Sequence, residues 1–441
     1  MILYKYILKS HIGPFLFAFA TVVFLFLFQF IYKTIDQLVG KGLSIWLIVQ
    51  LISYNMAWIV TLAVPMAVLV ATLMAFGNLA STNELTIIKA GGISLRRMMI
   101  PVILCSIILF YLMVKFNNEV LPEANHQARV LLGDISRTKP TFILEPGKFS
   151  DDIGGAKILV RKIDPVSNKL EDIYIYDYSN PQVRNIFTAK SGDIGFTADL
   201  NNIVMNLENG EIHQLNVINP SQKYKKVKFN KHRITLSSEG FGLQQSGEGS
   251  FRGDRELSAD SMVSIRDSLI AQVNDMSGKL SSASSELALE LAKIPYRNLT
   301  IRRTGVTSDS LGQSLNQANS NIISLYDNVI MKKTQRQGIV LNSRSLLSQV
   351  SRYEVEIYKK YSIPFACIVF VLIGAPLGYR VKKGGFGISA GFSLLFFLIY
   401  WASLIGGEKL ADRGLLSPLL GMWIADIVLG IFGLYLMFKS S

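Results

Sequence analysis

Cysteine is scarce: of 441 residues only Cys105 and Cys367 carry a thiol, both lie in long apolar runs, and the polar stretch 118–361 has none. A disulfide framework is therefore excluded for that stretch, and the two thiols are expected to be inert packing groups. Histidine is also sparse. His11, His126, His213 and His232 are scattered, with no HExxH and no cysteine–histidine spacing that would hold zinc. A phosphate-cradling loop is also missing, because Ser277-Gly278-Lys279-Leu280 lacks both the upstream glycine and the Ser or Thr that would reach magnesium. The glycine-rich Gly384-Gly385-Phe386-Gly387 reads as a tight connection between helices. No catalytic residue, metal or cofactor is expected, and any ATP hydrolysis has to come from a partner.

What the chain has in quantity is apolar surface. Half of it is hydrophobic and its mean hydropathy is +0.33, too high for an ordinary soluble domain. Crossing about 30 Å of hydrocarbon takes roughly 20 apolar residues. Six such runs are present, at 12–32, 54–76, 98–117, 362–380, 386–406 and 416–438. The first is longer than a signal-peptide core and is followed by no small-residue cleavage site, so it is expected to remain as a span. The net charge of +13 would suggest nucleic acid in a soluble protein, but here it sorts by membrane side. Lys5, Lys9, Lys89, Arg96, Arg97, Arg380, Lys382, Lys383 and Lys439 fall on one face, with Glu84 the only acid among them. The opposite short loops are balanced: Lys33, Asp36 and Lys41 after the first run, Glu408, Lys409, Asp412 and Arg413 after the fifth. The basic face is expected to be cytoplasmic with both termini, and residues 118–361 to lie outside.

Three spans at 1–120 and three at 351–441 thus bracket the external part. From 140 to 237 the pattern turns to short alternating runs rich in Ile, Val, Tyr and Phe, an all-β domain of roughly eight strands in sandwich or jelly-roll form. Asn209-Gly210, between Ile203–Leu207 and Ile212–Val217, has the chemistry of a two-residue hairpin turn. Residues 238–350 form a linker and a helical insertion. Its first part, 237–256, is rich in Gly, Ser and Gln. Met262, Ile265, Leu269, Val273, Met276, Leu280, Ala283, Leu287 and Leu291 then recur at helical steps suited to a partner helix, and Pro295 ends that helix. Helical spacing resumes at Ile322–Ile330 and Leu341–Ile357 and leads into the fourth span, so an external helical arm is expected; a partly disordered insertion is the alternative.

Between spans two and three lies a short segment, about 81–92. Ser81-Thr82-Asn83-Glu84 fits a capping box and Gly91-Gly92 a helix stop. The segment is either a plain capped helix or a docking element in which the Glu84 carboxylate meets a basic groove while Leu85 and Ile88 fill an apolar pocket. Gly374 with Gly378, and Gly387 with Gly391, are spaced for close helix approach, and Pro65, Pro364 and Pro376 could kink their spans.

Nearly the whole chain except about 238–345 resembles the LptF/LptG permeases of the lipopolysaccharide exporter. The likeness rests on the order of spans and β domain and on three local matches. Phe76-Gly77-Asn78-Leu79, Asn83-Glu84-Leu85, Ala90-Gly91-Gly92 and Ser94 look like the family's cytoplasmic coupling helix. Ile363-Pro364-Phe365 and Ile373-Gly374-Ala375-Pro376-Leu377-Gly378 are similar to its fourth span. Lys33-Thr34-Ile35-Asp36-Gln37-Leu38 is closer to the LptG branch than to LptF. The resemblance implies a non-catalytic half-transporter of the bacterial inner membrane. It would pair with a second permease of the same family and a cytoplasmic ABC ATPase dimer, and pass lipopolysaccharide to periplasmic jelly-roll bridge proteins. Its only other partners would be membrane lipids, with no nucleic acid. Glu84, Leu85, Ile88, Gly91 and Gly92 would be the ATPase-coupling residues, and Lys33, Asp36 and Lys41 the substrate-binding ones.

Lys33 follows a run carrying Phe15, Phe17, Phe19, Phe24, Phe26, Phe28 and Phe30, where acyl chains give way to headgroups. It is either an interfacial anchor or a phosphate contact, with Asp36 one turn away to pair with it when no substrate is present. An envelope-assembly scaffold and an enzyme on lipid-linked sugars are the alternatives. The first has no need of a docking segment at 81–97, and the second needs clustered acids or histidines that are not there. Lipoprotein-releasing permeases have four spans with a large domain after the first.

Overall fold

The structure is a computed structural model. It describes residues 2–38, 44–138, 144–150, 155–164, 169–179, 183–197, 202–216, 224–237, 252–292, 308–380 and 385–439. Lys41 and Gly384 lie outside the described residues, as do most of the linker and the side chain of Asp36. Eight α-helices are described: α1 (Ile2–Leu38), α2 (Ile45–Ser81), α3 (Glu84–Ala90), α4 (Leu95–Thr138), α5 (Ala259–Ala292), α6 (Ser308–Arg380), α7 (Gly385–Asp412) and α8 (Pro418–Lys439). Six are long and apolar enough to cross a membrane, over Ile2–Lys33, Ile45–Ser81, Leu95–Ile135, Tyr326–Arg380, Ala390–Asp412 and Pro418–Lys439. The chain divides into two compact units, Met1–Ser258 with Ile363–Leu394 and Gly430–Ser441, and Ala259–Ser362 with Leu395–Leu429.

In the first unit α2 is the central helix. Its small and branched residues, Ala63, Ala67, Leu69, Ala71, Leu73 and Ala75 among them, are almost wholly buried. Val64, Val68, Phe76 and Leu79 join Met98, Met99 and Val102 of α4 and Cys367, Val371 and Ala375 of α6 in one core. Cys367 is thus a packing residue, while Cys105 is exposed on α4. Ser44 starts α2 by accepting a hydrogen bond from the Leu47 amide. Gly374 and Gly378 let α6 approach α2 closely, because a Cβ at Gly374 would stand 3.0 Å from the Thr72 side chain. Gly387 and Gly391 have nothing within 4 Å, so the second small-residue pair packs on nothing in the described chain.

α4 runs on beyond its apolar run, from Asn118 to Thr138, roughly 30 Å of extra helix. This extension holds a 3-10 turn, Asp254–Glu256. Glu256, 6 % exposed, accepts from His126 Nδ1 at 2.9 Å and Arg129 Nε at 2.7 Å. Asn125 donates to the Arg255 carbonyl and Arg252 to Glu123.

Five long strands, β1 (Ala156–Asp164), β2 (Lys169–Asp177), β3 (Val183–Phe196), β4 (Asn202–Asn216) and β5 (Lys225–Ser237), form one antiparallel sheet in sequence order. Among the described residues five long strands stand where about eight short ones are expected, and the hairpin expected at Asn209-Gly210 is corrected, because both residues lie inside β4. The reason is a transverse crease. The described ladder pairs Val160 with Ile173 and Lys162 with Glu171 but skips Arg161 and Asp172. Along the same line it also skips Lys190, Asn209 and Asn230, with the register unchanged on either side. Each strand therefore changes phase once. Ile158 and Val160 face the core and then Ile163; Leu170 is followed by Ile173 and Ile175; Phe187 and Ala189 by Ile194; Met205 and Leu207 by Ile212; Phe229 by Ile234 and Leu236. Asp172 and Asn209 sit on this line with left-handed φ of 51° and 54°.

In the second unit α5 pairs with α6. Ile265, Leu269, Val273 and Met276 pack with Leu346, Val350 and Tyr353, while Glu286 bonds Lys332 farther along. Helix α6 is continuous with the fourth apolar run as a single 73-residue helix. Lys359 links Glu356 at 3.0 Å to Glu408 of α7 at 2.8 Å. α7 and α8 touch backbone to backbone at Gly407 and Gly421, where a Cβ on Gly407 would stand 1.9 Å from the Gly421 carbonyl oxygen.

Candidate coupling surface and Lys33

The segment between α2 and α4 contains a separate short helix, and its ends are made differently from the capping box that the sequence suggests. α2 continues through Ser81, so the Ser81 hydroxyl donates back to the Asn78 carbonyl at 2.9 Å and caps nothing ahead of it. Thr82 closes α2. Asn83, at φ 60°, turns the chain in left-handed conformation without a side-chain cap bond. The far end does follow the expected glycine stop. Gly92 takes φ 87°, its amide bonds the Lys89 carbonyl, and the Ile93 amide reaches the Ile88 carbonyl, which together make a Schellman motif.

Within α3 the three expected side chains part company. Leu85 is fully buried and packs into the core with Phe76, Leu79, Leu95, Met98 and Met99, so it anchors α3 to its own chain. Ile88 is half-buried against the same core. The apolar side chain left outward is Ile87, at 69 % exposure, with Thr86 and Ala90 also exposed. Spacing alone does not separate these positions, since a seven-residue helix makes barely two turns and either face could be the buried one.

Glu84 opens α3, where a carboxylate complements the helix dipole. Both of its oxygens accept from hydroxyls. Tyr6 of α1 donates to Oε2 at 2.5 Å and Thr82 to Oε1 at 2.9 Å. Thr82 Oγ1 also lies 3.1 Å from the Asn78 carbonyl, but it has one proton, and the nearer, charged acceptor is Glu84. Tyr6 is a residue that sequence reasoning missed, because 78 positions separate it from Glu84 and no spacing rule connects them. Around α3 the basic residues are spread over aromatic faces: Lys89 Nζ lies 5.0 Å from the Tyr379 ring centre and the Arg96 guanidinium 4.3 Å from that of Phe438.

At the other end of α1, Lys33 is exposed and is the residue on which the first candidate span ends. Asp36 follows on the same helix, so Lys33 and Asp36 share a helix face at the level of the backbone. Leu8, His11, Phe15, Thr72, Cys105 and Val371 line an almost wholly apolar cavity of about 400 Å³ nearer the N-terminal end of α1. Among the described residues no group of three or more His, Cys, Asp or Glu side chains is placed to hold a metal ion.

Comparison with known proteins agrees with this architecture. Residues 5–439 match the family described as "Lipopolysaccharide export system permease LptF/LptG". The chain is 30 % identical over 189 residues, 42 % of its length, to the lipopolysaccharide export system permease protein LptG of Haemophilus influenzae. That alignment spans about half of the curated relative, 51 %. With six apolar helices, an antiparallel β domain and a match from one end to the other, the chain belongs to the LptF/LptG family of lipopolysaccharide export permeases.

Proposed function

We infer that this chain is an LptG-like half of the permease of an ATP-driven exporter that draws lipopolysaccharide out of the inner membrane and delivers it to a periplasmic bridge. The observation that carries this reading is α3: a short helix stopped by a Schellman motif, pinned by Leu85 and set between two apolar helices. It presents Glu84 and Ile87 on the face where Lys5, Lys9, Arg96 and Arg97 gather, which by the positive-inside rule is cytoplasmic. A cytoplasmic ATPase dimer docks there and supplies the hydrolysis, Glu84 pairs with a basic groove residue, and Ile87 takes the apolar contact first expected of Leu85. A second permease of the family completes the substrate cavity.

Residues 140–237 lie in the periplasm as the jelly-roll-like unit through which the glycolipid leaves, and 238–350 form a separate accessory arm. Lys33, with Asp36 and Lys41 nearby in sequence, meets the phosphates of the anionic headgroup.

The test is photocrosslinking of lipopolysaccharide to the outer end of α1 together with export in proteoliposomes. Lys33→Arg should preserve both. Lys33→Glu should abolish crosslinking and cut export severely while the ATPase and partner permease still copurify. Equal export by wild type and Lys33→Glu at matched expression would reduce Lys33 to an interfacial anchor.

A further inference from the structure

We propose that Tyr6 is a positioning residue for ATPase docking, holding the Glu84 carboxylate in its binding direction through the end of α1. The inference rests on the coupling role proposed for Glu84 and goes beyond it by adding a residue from another helix. A glutamate at the start of a two-turn helix has three free torsions and in water samples many rotamers, and fixing such a side chain costs binding free energy when a partner has to do it. Here the fixing is done beforehand. Tyr6 OH donates to Oε2 at 2.5 Å and Thr82 Oγ1 to Oε1 at 2.9 Å, so each oxygen has one donor and retains a further lone-pair direction for a cation. Hydrogen bonds to an ionised acceptor are the stronger kind, and a phenol is a rigid donor with few torsions of its own.

The supports of the two donors differ. Thr82 closes α2 two positions before Glu84, whereas Tyr6 stands on α1, 78 positions away. Next to it Ile7 is fully buried in the core that also receives Leu85, so the backbones carrying Tyr6 and Glu84 are fixed to the same packed body. The pair is solvent-exposed, which leaves the carboxylate open to a partner while its rotamer is held. α1 is an unbroken helix from Ile2 to Leu38, so the residue that orients the coupling carboxylate and the outer Lys33 are parts of one element. A tyrosine here does what a bare aromatic anchor could not, because it is the hydroxyl, and not the ring, that meets the carboxylate.

The experiment uses the full permease, assembled with its partner permease and reconstituted in nanodiscs, titrated with fluorescently labelled ATPase. Tyr6→Phe removes only the hydroxyl and should weaken ATPase binding by about three- to tenfold, the effect of one lost hydrogen bond. Glu84→Gln should weaken it more. The double variant Tyr6→Phe/Glu84→Gln should bind no worse than Glu84→Gln alone, since a residue that acts by orienting a carboxylate has nothing left to orient. Thr82→Val, which removes the second donor, should show the same non-additivity. Purely structural damage from Tyr6→Phe would instead add to Glu84→Gln, and would lower the unfolding temperature of the isolated permease pair. Additive losses, or unchanged binding by Tyr6→Phe beside a weakened Glu84→Gln, overturn the positioning role and leave the coupling role of Glu84 standing. Unchanged binding by Glu84→Gln overturns that coupling role and the positioning role with it.

Discussion

Gly378 lies against the backbone of Leu73: a Cβ there would stand 2.7 Å from the Leu73 carbonyl oxygen and 3.1 Å from the Gly77 amide nitrogen. Both atoms are backbone and cannot turn aside, so the contact between α2 and α6 depends on the absence of a side chain. Gly378→Val should push the helices apart and destabilise the permease by about 1–3 kcal/mol, the usual penalty of overpacking. Gly391→Ala, with open space around it, should be neutral. Thermal unfolding in detergent, followed by size-exclusion fluorescence, distinguishes the two. A Gly378→Val protein that melts with wild type would show that the helices are not in contact there.

The crease in the sheet makes a similar demand. A Cβ on Gly210 would sit 2.1 Å from the Thr188 carbonyl oxygen and 2.4 Å from the Phe229 ring, while one on Gly195 meets nothing within 4 Å. Gly210→Ala is expected to cost about 1–3 kcal/mol and Gly195→Ala much less. At neighbouring Asn209, φ 54° suits Asn and Gly but not a β-branched residue. Asn209→Gly should therefore leave the melting temperature of the full chain unchanged or raise it, and Asn209→Val should lower it. Identical melting of the two variants would contradict a left-handed residue at this position.

Glu256 ties the turn before α5 to the extension of α4. Replacing it by Ala removes the shared acceptor of His126 and Arg129 from a buried position. The loss should be about 1–3 kcal/mol, below that of a fully buried pair because Arg129 is partly solvated. Glu256→Gln, still a hydrogen-bond acceptor, should lose less. Limited trypsinolysis at Arg252 and Arg255 is the direct measure: cleavage should quicken in the order wild type, Gln, Ala. Equal rates in all three would mean that the turn is held by other bonds.

Glu211 of the β domain accepts a hydrogen bond from Lys226 at 2.6 Å, with Lys228 nearby, and this holds its carboxyl below the ordinary glutamate range. A carboxyl depressed in the folded state contributes stability above its unfolded value, about 4.3, and loses that contribution as pH falls through the folded value. Glu211→Gln should therefore lower the melting temperature slightly at pH 7 and not at all at strongly acid pH, where both proteins carry an uncharged side chain. A difference that grows on acidification would reverse the sign and exclude this pairing.

Much of the architecture was legible in the chain itself. The six apolar helices follow from runs that no soluble fold needs, and α5 from a seam of which Ile265, Leu269, Val273 and Met276 do pack as their spacing requires. The glycine stop at Gly91-Gly92 was legible because a left-handed residue is cheap for glycine and helix ends use it. The strands were readable as strands but not in number or length. Alternation is a local signal, and where Ala189, Lys190, Ser191, Gly192 or Leu207, Glu208, Asn209, Gly210 change phase, a crease within a strand has the same sequence as the end of one strand and the start of the next.

What the sequence by itself determined is therefore what nearest neighbours and periodicity control: which stretches are apolar over enough length to cross a membrane, where a glycine stops a helix, and which face of a long helix is greasy. Tertiary structure alone decided which side of α3 is buried, making Leu85 an anchor and Ile87 the outward residue, and only it brought the Tyr6 hydroxyl to the Glu84 carboxylate. The physical reason is range. Helix periodicity and φ preference act over a few residues and are written in them, whereas a side chain's partner across 78 positions depends on how whole helices pack, and no local pattern in either segment carries that information.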